Sequence, residues 1–186
     1  MTDKDKLKEL QLRQAIRQGD LPKCRALIAA GADFTATDEN GWTPLHLAAL
    51  EETPEITGLL LEAGASTSAR CGKGNWTALH IAVSYGHAET TKELLVHSAD
   101  IEAKADKDWT PLHIAAWAGH AQTLSILLGC GADTGAQTTS SKTAAELAEG
   151  KGYAETTLEI SKAVSLRHAL QMKALKKLMA NRKKKN

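Results

Sequence analysis

The sequence predicts an all-α solenoid of about five stacked helix pairs. Three observations carry this: a block repeating at a fixed 33- or 34-residue interval, helix-start chemistry at the head of each block, and a core that must be built from small aliphatic side chains. The blocks read GWTPLHLAA from Gly41, NWTALHIAV from Asn75, DWTPLHIAA from Asp108 and SKTAAELAE from Ser141. Their threonines, Thr43, Thr77, Thr110 and Thr143, are spaced by 34, 33 and 33 residues. Aromatics make up only 4% of the 186 residues, so Leu, Ala, Ile and Val must supply most of the buried area.

Taken in order, the elements follow from local chemistry. Residues 4–18 read as a charged opening helix, and ALIAAGAD at 26–33 continues the same register without a Thr-Pro-Leu-His opening. In the central units Thr caps a free backbone N–H, and Pro at the first helical position forfeits no hydrogen bond. Leu112, Ala115 and Ala116 then fall on one face of a short helix, with Ile114 on another, so this helix must be sandwiched. Gly119 can take the left-handed conformation that ends it. A second apolar run follows each block: LLLEAGA at 59–65, LLVHSAD at 94–100 and ILLGCGAD at 126–133. Small and polar residues then make a turn-rich link. A single unit cannot bury both its faces, so neighbours must stack. The units run over 5–37, 38–71, 72–104, 105–137 and 138–163, with a basic segment at 164–186.

These residues resemble the ankyrin repeat family: G-x-T-P-L-H-x-A-A-x-x-G-H, then Leu-Leu and Gly-Ala-Asp. The match is clear over 38–137 and weaker in the flanking units. Departures are Ala78 for Pro, Glu52-Thr53 for Gly-His and Ser98 for Gly. The resemblance implies antiparallel helix pairs, projecting hairpin-like loops and a concave surface that holds another protein. It gives no reason to expect asparaginyl hydroxylation, because Thr35, Ser68, Glu102 and Gly135 stand where the modified Asn would be. Polar residues in the first helix, with Glu146 and Lys151 in the last unit, read as caps closing the array.

Catalysis is not expected, nor a cofactor, metal or small-molecule substrate. Of seven histidines, His46, His80 and His113 share one repeat position, and His87 and His120 another. Equivalents on stacked helices lie on the order of 10 Å apart, whereas zinc needs its ligands about 2 Å away. The expectation is that these histidines bond the Thr and loop backbone of their own repeat. GKG at 72–74 lacks the spacing of a phosphate loop and reads as a one-residue insertion. Cys24, Cys71 and Cys130 are sparse and odd in number, neither a disulfide framework nor a zinc site. With no secretory leader or apolar run long enough to span a bilayer, the expectation is an intracellular, cytoplasmic monomer.

Carried over from the family, the partner surface comprises loop residues Glu39, Asn40 and Trp42; Lys73, Gly74 and Trp76; Asp106, Lys107 and Trp109. The ends of the first helices add Leu50 and Glu51, Ser84 and Tyr85, and Trp117 and Ala118. All four tryptophans and Tyr85 fall in this set. Trp42, Trp76 and Trp109 recur at one position, so stacking along the loops competes with binding as their explanation. Trp117 occurs once, with Arg17, Leu50, Ser84 and Gly150 as equivalents, and the architecture does not require it. The expected occupant is an extended or helical segment of another protein.

Charge is segregated. Residues 1–159 carry 14 Lys and Arg against all 22 Asp and Glu; residues 160–186 carry nine Lys and Arg and no acid. Residues 161–181 read as a helix followed by RKKKN. Lys173, Lys176, Lys177, Arg182, Lys183, Lys184 and Lys185 form the basic set. That segment could pack on the last unit, direct nuclear import, meet nucleic acid or an anionic membrane, or fold over the acidic body.

Overall fold

The computed structural model describes residues 3–183. They form five helix pairs: α1 (Asp3–Arg17) and α2 (Leu21–Ala29), α3 (Pro44–Leu50) and α4 (Pro54–Glu62), α5 (Ala78–Tyr85) and α6 (Ala88–Val96), α7 (Pro111–Ala118) and α8 (Ala121–Gly129), and α9 (Ala144–Lys151) and α10 (Ala154–Lys183). Odd-numbered helices stack in an inner layer and even-numbered ones in an outer layer, each packing on its neighbours and its partner. Among the described residues there is no strand, only an isolated bridge between Cys71 and Trp76.

Equivalent positions explain the stack. Ala15, Ala48, Ala82, Ala115 and Ala148 occupy one repeat position, and each is wholly buried. A methyl group there lets inner helices approach closely, while Leu12, Leu45, Leu79 and Leu112 fill the neighbouring row. The outer layer has its own row: Leu60, Leu94, Leu127 and Ile160, all buried. Burying each such side chain stabilises the fold by roughly 1.5–3 kcal/mol. The sandwiched helix expected from Leu112, Ile114, Ala115 and Ala116 is found, all four buried.

Ile160 lies early in α10, so the start of that helix is the outer helix of unit five. Outer helices of other units stop at a left-handed residue: Gly31 (φ 78°), Gly64 (φ 100°), Ser98 (φ 60°) and Gly131 (φ 94°). Unit five has Val164 at this position, and a β-branched residue resists left-handed backbone. The helix therefore runs on across 163 and 164 without a break, and one helix serves both the last unit and the basic segment. Past Ile160 its apolar side chains turn to solvent, with Val164, Leu166 and Leu170 exposed. Lys173, Lys176, Lys177, Arg182 and Lys183 fall on α10; Lys184 and Lys185 lie outside the described residues. No helix of the described residues is long and apolar enough to cross a membrane.

The loops before the inner helices project as fingers. Cys71 and Trp76 exchange two backbone bonds, of 2.8 and 3.0 Å, and the other fingers close through Asp38 N–H to Trp42 O (3.0 Å), Ala105 N–H to Trp109 O (2.8 Å) and Thr138 N–H to Lys142 O (3.0 Å). Each finger also joins the next: Gly72 N–H donates to Asn40 O, Asp106 N–H to Gly74 O and Thr139 N–H to Lys107 O.

Candidate functional site: the aromatic concave face

The site begins with the histidines beneath it. His46 Nδ1 accepts the Thr43 N–H at 3.1 Å, and His80 and His113 accept those of Thr77 and Thr110 at 3.2 Å. A backbone N–H can only donate, so Nδ1 is unprotonated and Nε2 carries the hydrogen. Nε2 points to the next finger: His46 to Ala69 O (3.1 Å), His80 to Trp109 O (3.3 Å), and His113 to Ala136 O (3.1 Å) and Lys142 O (3.2 Å). Each imidazole thus caps its own helix and pins the following loop. Burial holds all three below the ordinary histidine range, His80 down to about 4, against the opposing pull of the carbonyls they bond.

The expected bond to the Thr of the same repeat is found, but the loop bond is not confined to that repeat: His80 reaches Trp109 O and His113 reaches Lys142 O in the following unit. The first pin was missed. In unit one Arg13 stands at the His position, and its guanidinium donates to Ala36 O (2.8 Å) and Trp42 O (2.9 Å). In unit five Glu146 stands there and accepts the Thr143 N–H at 2.8 Å. A second row works the other way: His87 Nε2 bonds Leu50 O (3.1 Å) and His120 Nε2 bonds Ser84 O (3.0 Å), each reaching the preceding inner helix. Among the described residues, no group of three or more His, Cys, Asp or Glu could hold a metal ion. All three cysteines are free; burial raises the Cys24 and Cys71 thiols to about 11, and Cys130 is exposed.

The fingers carry the tryptophans onto this frame. Trp42, Trp76 and Trp109 are half-buried, each packed on its own unit's histidine with ring centroids 6.0, 6.3 and 6.3 Å apart. All three also pack against the core, so the row makes structural contacts. Trp76 is seated on Gly74: a Cβ there would lie 2.5 Å from the indole Nε1, so a larger residue would push the ring out of this seat.

Trp117 differs. The residue is 47% exposed; its ring meets Trp109 edge to face at 6.1 Å and lies beneath the Lys151 ammonium, 4.4 Å from the centroid. Tyr85 is 59% exposed and stacks on His87 at 5.7 Å and 10°.

Two clefts open between these rings. One, about 180 Å³, is lined by Trp42, Cys71, Trp76, Ile81 and Tyr85 with Gly72 and Gly74. The other, about 250 Å³, is lined by Trp76, Ser84, Trp109, Ile114, Trp117 and Ala118. The structure thus brings together all four tryptophans, Tyr85 and Ser84. Glu39, Asn40, Lys73, Asp106 and Lys107 are exposed on the fingers outside both clefts, as is Glu51 at its helix end. Leu50 packs partly into the core. Sequence reasoning read Lys151 only as a polar cap and missed its place over Trp117, since a lysine in an eroded last repeat gives no signal of what lies beneath it.

A family model described as ankyrin repeats in three copies matches residues 12–105 and 67–138. Human ankyrin repeat and SOCS box protein 16 is 32% identical over 90 residues, 48% of this chain and 20% of that protein. Mouse protein phosphatase 1 regulatory subunit 27 is 38% identical over 64 residues, 34% of this chain and 42% of that protein. The mouse B-cell lymphoma 3 protein homolog is 39% identical over 82 residues, 42% of this chain and 18% of its own length. The matched segments span less than half of each relative. With helix pairs, fingers and repeat motifs in register across most of its length, the chain belongs to the ankyrin-repeat family.

Proposed function

We propose that this protein is a non-catalytic recognition module, an adaptor, inhibitor or targeting subunit that holds a segment of another protein on its concave face. The observation that carries it is the pair of aromatic clefts, above all the half-exposed Trp117 that the repeat does not require. Trp and Tyr are enriched in interface hot spots, where truncation costs about 2 kcal/mol or more. Trp109 and Trp117 are the central anchors. Relatives named as a SOCS box protein and a phosphatase regulatory subunit support a role in recruiting or regulating other proteins. The test compares wild type with Trp117→Ala for thermal melting and for capture of partners from cell extract. Lost capture with unchanged melting supports the reading; lowered melting with unchanged capture sinks it.

A second reading rests on the charge of residues 160–186, nine basic and none acidic, on a helix that exposes Val164, Leu166 and Leu170. This segment would meet nucleic acid or an anionic membrane. Phosphate contacts weaken steeply with salt, so binding that survives 300 mM salt and truncation at Ser161 belongs to the concave face.

A further inference from the structure

We propose that the groove takes a polyproline-II segment bearing two apolar side chains three residues apart, flanked on one side by a carboxylate that pairs with Lys151. This rests on the concave-face reading and gives its occupant a chemistry and a direction.

The spacing comes from the clefts. They are consecutive slots sharing Trp76 as a wall, built from residues one repeat apart. Stacked helices set that step at about 10 Å. A polyproline-II chain rises about 3.1 Å per residue with three residues per turn, so positions i and i+3 share a face about 9 Å apart. In a β-strand the same two positions would point to opposite sides. Aromatic-lined grooves suit polyproline-II segments, which have little conformational entropy to lose.

The direction comes from charge. One repeat position along the groove reads Glu51, Tyr85, Ala118, Lys151, and the finger position reads Trp42, Trp76, Trp109, Lys142. At these two positions a carboxylate stands at the unit-two end, aromatics between, and lysines at the unit-five end, Lys142 beside the Glu146 carboxylate. Glu52 adds to the acidic end: its carboxylate lies 3.4 Å from Nδ1 of His87, the ring stacked on Tyr85. Glu52 holds φ at 52° where equivalent positions have Gly86, Gly119 and Gly152. A non-glycine residue in this region costs about 1 kcal/mol or more, and such strain clusters where a side chain is needed. At the other end Lys151 rests on Trp117 and makes no ion pair among the described residues, leaving its charge for an incoming carboxylate.

The experiment titrates the full chain with synthetic 12-residue proline-rich peptides, following tryptophan fluorescence at low salt. Leucines stand at positions i and i+3, flanked on one side by two glutamates or two lysines, in both sequence orders. The expected result is that one glutamate-flanked peptide binds about fivefold more tightly than its lysine counterpart. Lys151→Glu, checked for unchanged melting, is expected to reverse that preference, and Trp117→Ala to weaken both peptides. Equal affinity for the two flanks, no effect of Lys151→Glu, or binding only by a helical peptide with leucines at i and i+7 would overturn the proposal. So would binding by none of the peptides; partner capture by wild type but not Trp117→Ala would then still uphold the concave-face reading.

Discussion

The guanidinium of Arg13 donates to the backbone carbonyl of Trp42 across 2.9 Å, one unit to the next. With its second bond to Ala36 O, it does for the first interface what His46, His80 and His113 do for the later ones. Hydrogen bonds from a charged donor contribute about 1.5–3 kcal/mol each; losing this donor strips Ala36 O of its partner and leaves Trp42 O with the Asp38 N–H alone. Arg13→Ala is therefore expected to lower stability by about 2–3 kcal/mol in urea unfolding. The Trp42 fluorescence environment should change before the global transition. A loss under about 0.5 kcal/mol would mean that water replaces the guanidinium without cost.

The buried imidazoles make stability depend on pH. Their folded pKa values lie below the ordinary 6.5, so the unfolded chain binds more protons once pH drops through that value. Stability is fully present above about pH 7 and is lost progressively between about 6.5 and 4. His80 alone accounts for about 3 kcal/mol across this window. His80→Gln is expected to unfold at lower urea at pH 7 and to show a flatter profile from pH 7 to 4.5. A wild-type profile flat over that range contradicts the neutral assignment.

Much of this frame was legible in the sequence, and the limit has a physical cause. Fold, period, caps and helix stops follow from local chemistry, so Thr110, Pro111 and Gly119 announced themselves. The tryptophans and Tyr85 could be placed on one face because repeat position fixes direction. The roles of Arg13 and Lys151 could not be read, because they depend on contacts made after stacking and both residue types are ordinary on a surface. Val164 was a missed signal: it stands at the stop position of the other outer helices, and it explains why α10 continues.

Ser98 departs from glycine at a left-handed position, φ 60°, where Gly31, Gly64 and Gly131 serve the other units. Removing its Cβ relieves the backbone but enlarges the entropy of the unfolded chain. The net expectation for Ser98→Gly is a gain of about 0.5–1 kcal/mol, read as a rise in the thermal midpoint. A fall would show that the serine hydroxyl contributes more than its backbone costs.

Thr90 and Thr123 share one position in the outer layer, where unit two has the buried Ile56. Both hydroxyls are buried without a hydrogen-bond partner among the described residues. Replacing an unsatisfied buried hydroxyl by a methyl group removes a desolvation penalty of about 1–3 kcal/mol. Thr90→Val and Thr123→Val are each expected to stabilise by about 1 kcal/mol, additively within error, by urea midpoint at unchanged slope. Destabilisation of either would place a water or a bent bond at that hydroxyl.

The pins give the array a direction. Arg13 and the three histidines all reach forward, each inner helix holding the finger that comes after it. Units lost from the front and from the back therefore leave different wounds. Trimming the front strands the carbonyls of a finger that stays, and water can solvate those at the edge. Trimming behind unit four takes Lys142 O from His113 Nε2 and leaves it Ala136 O, a bond then open to water at the edge. Glu146 instead accepts from its own cap, the Thr143 N–H, and so closes its helix without a forward bond among the described residues. Lengthening this protein would accordingly begin by replacing Glu146 with histidine, and shortening it by placing a glutamate where His113 stands.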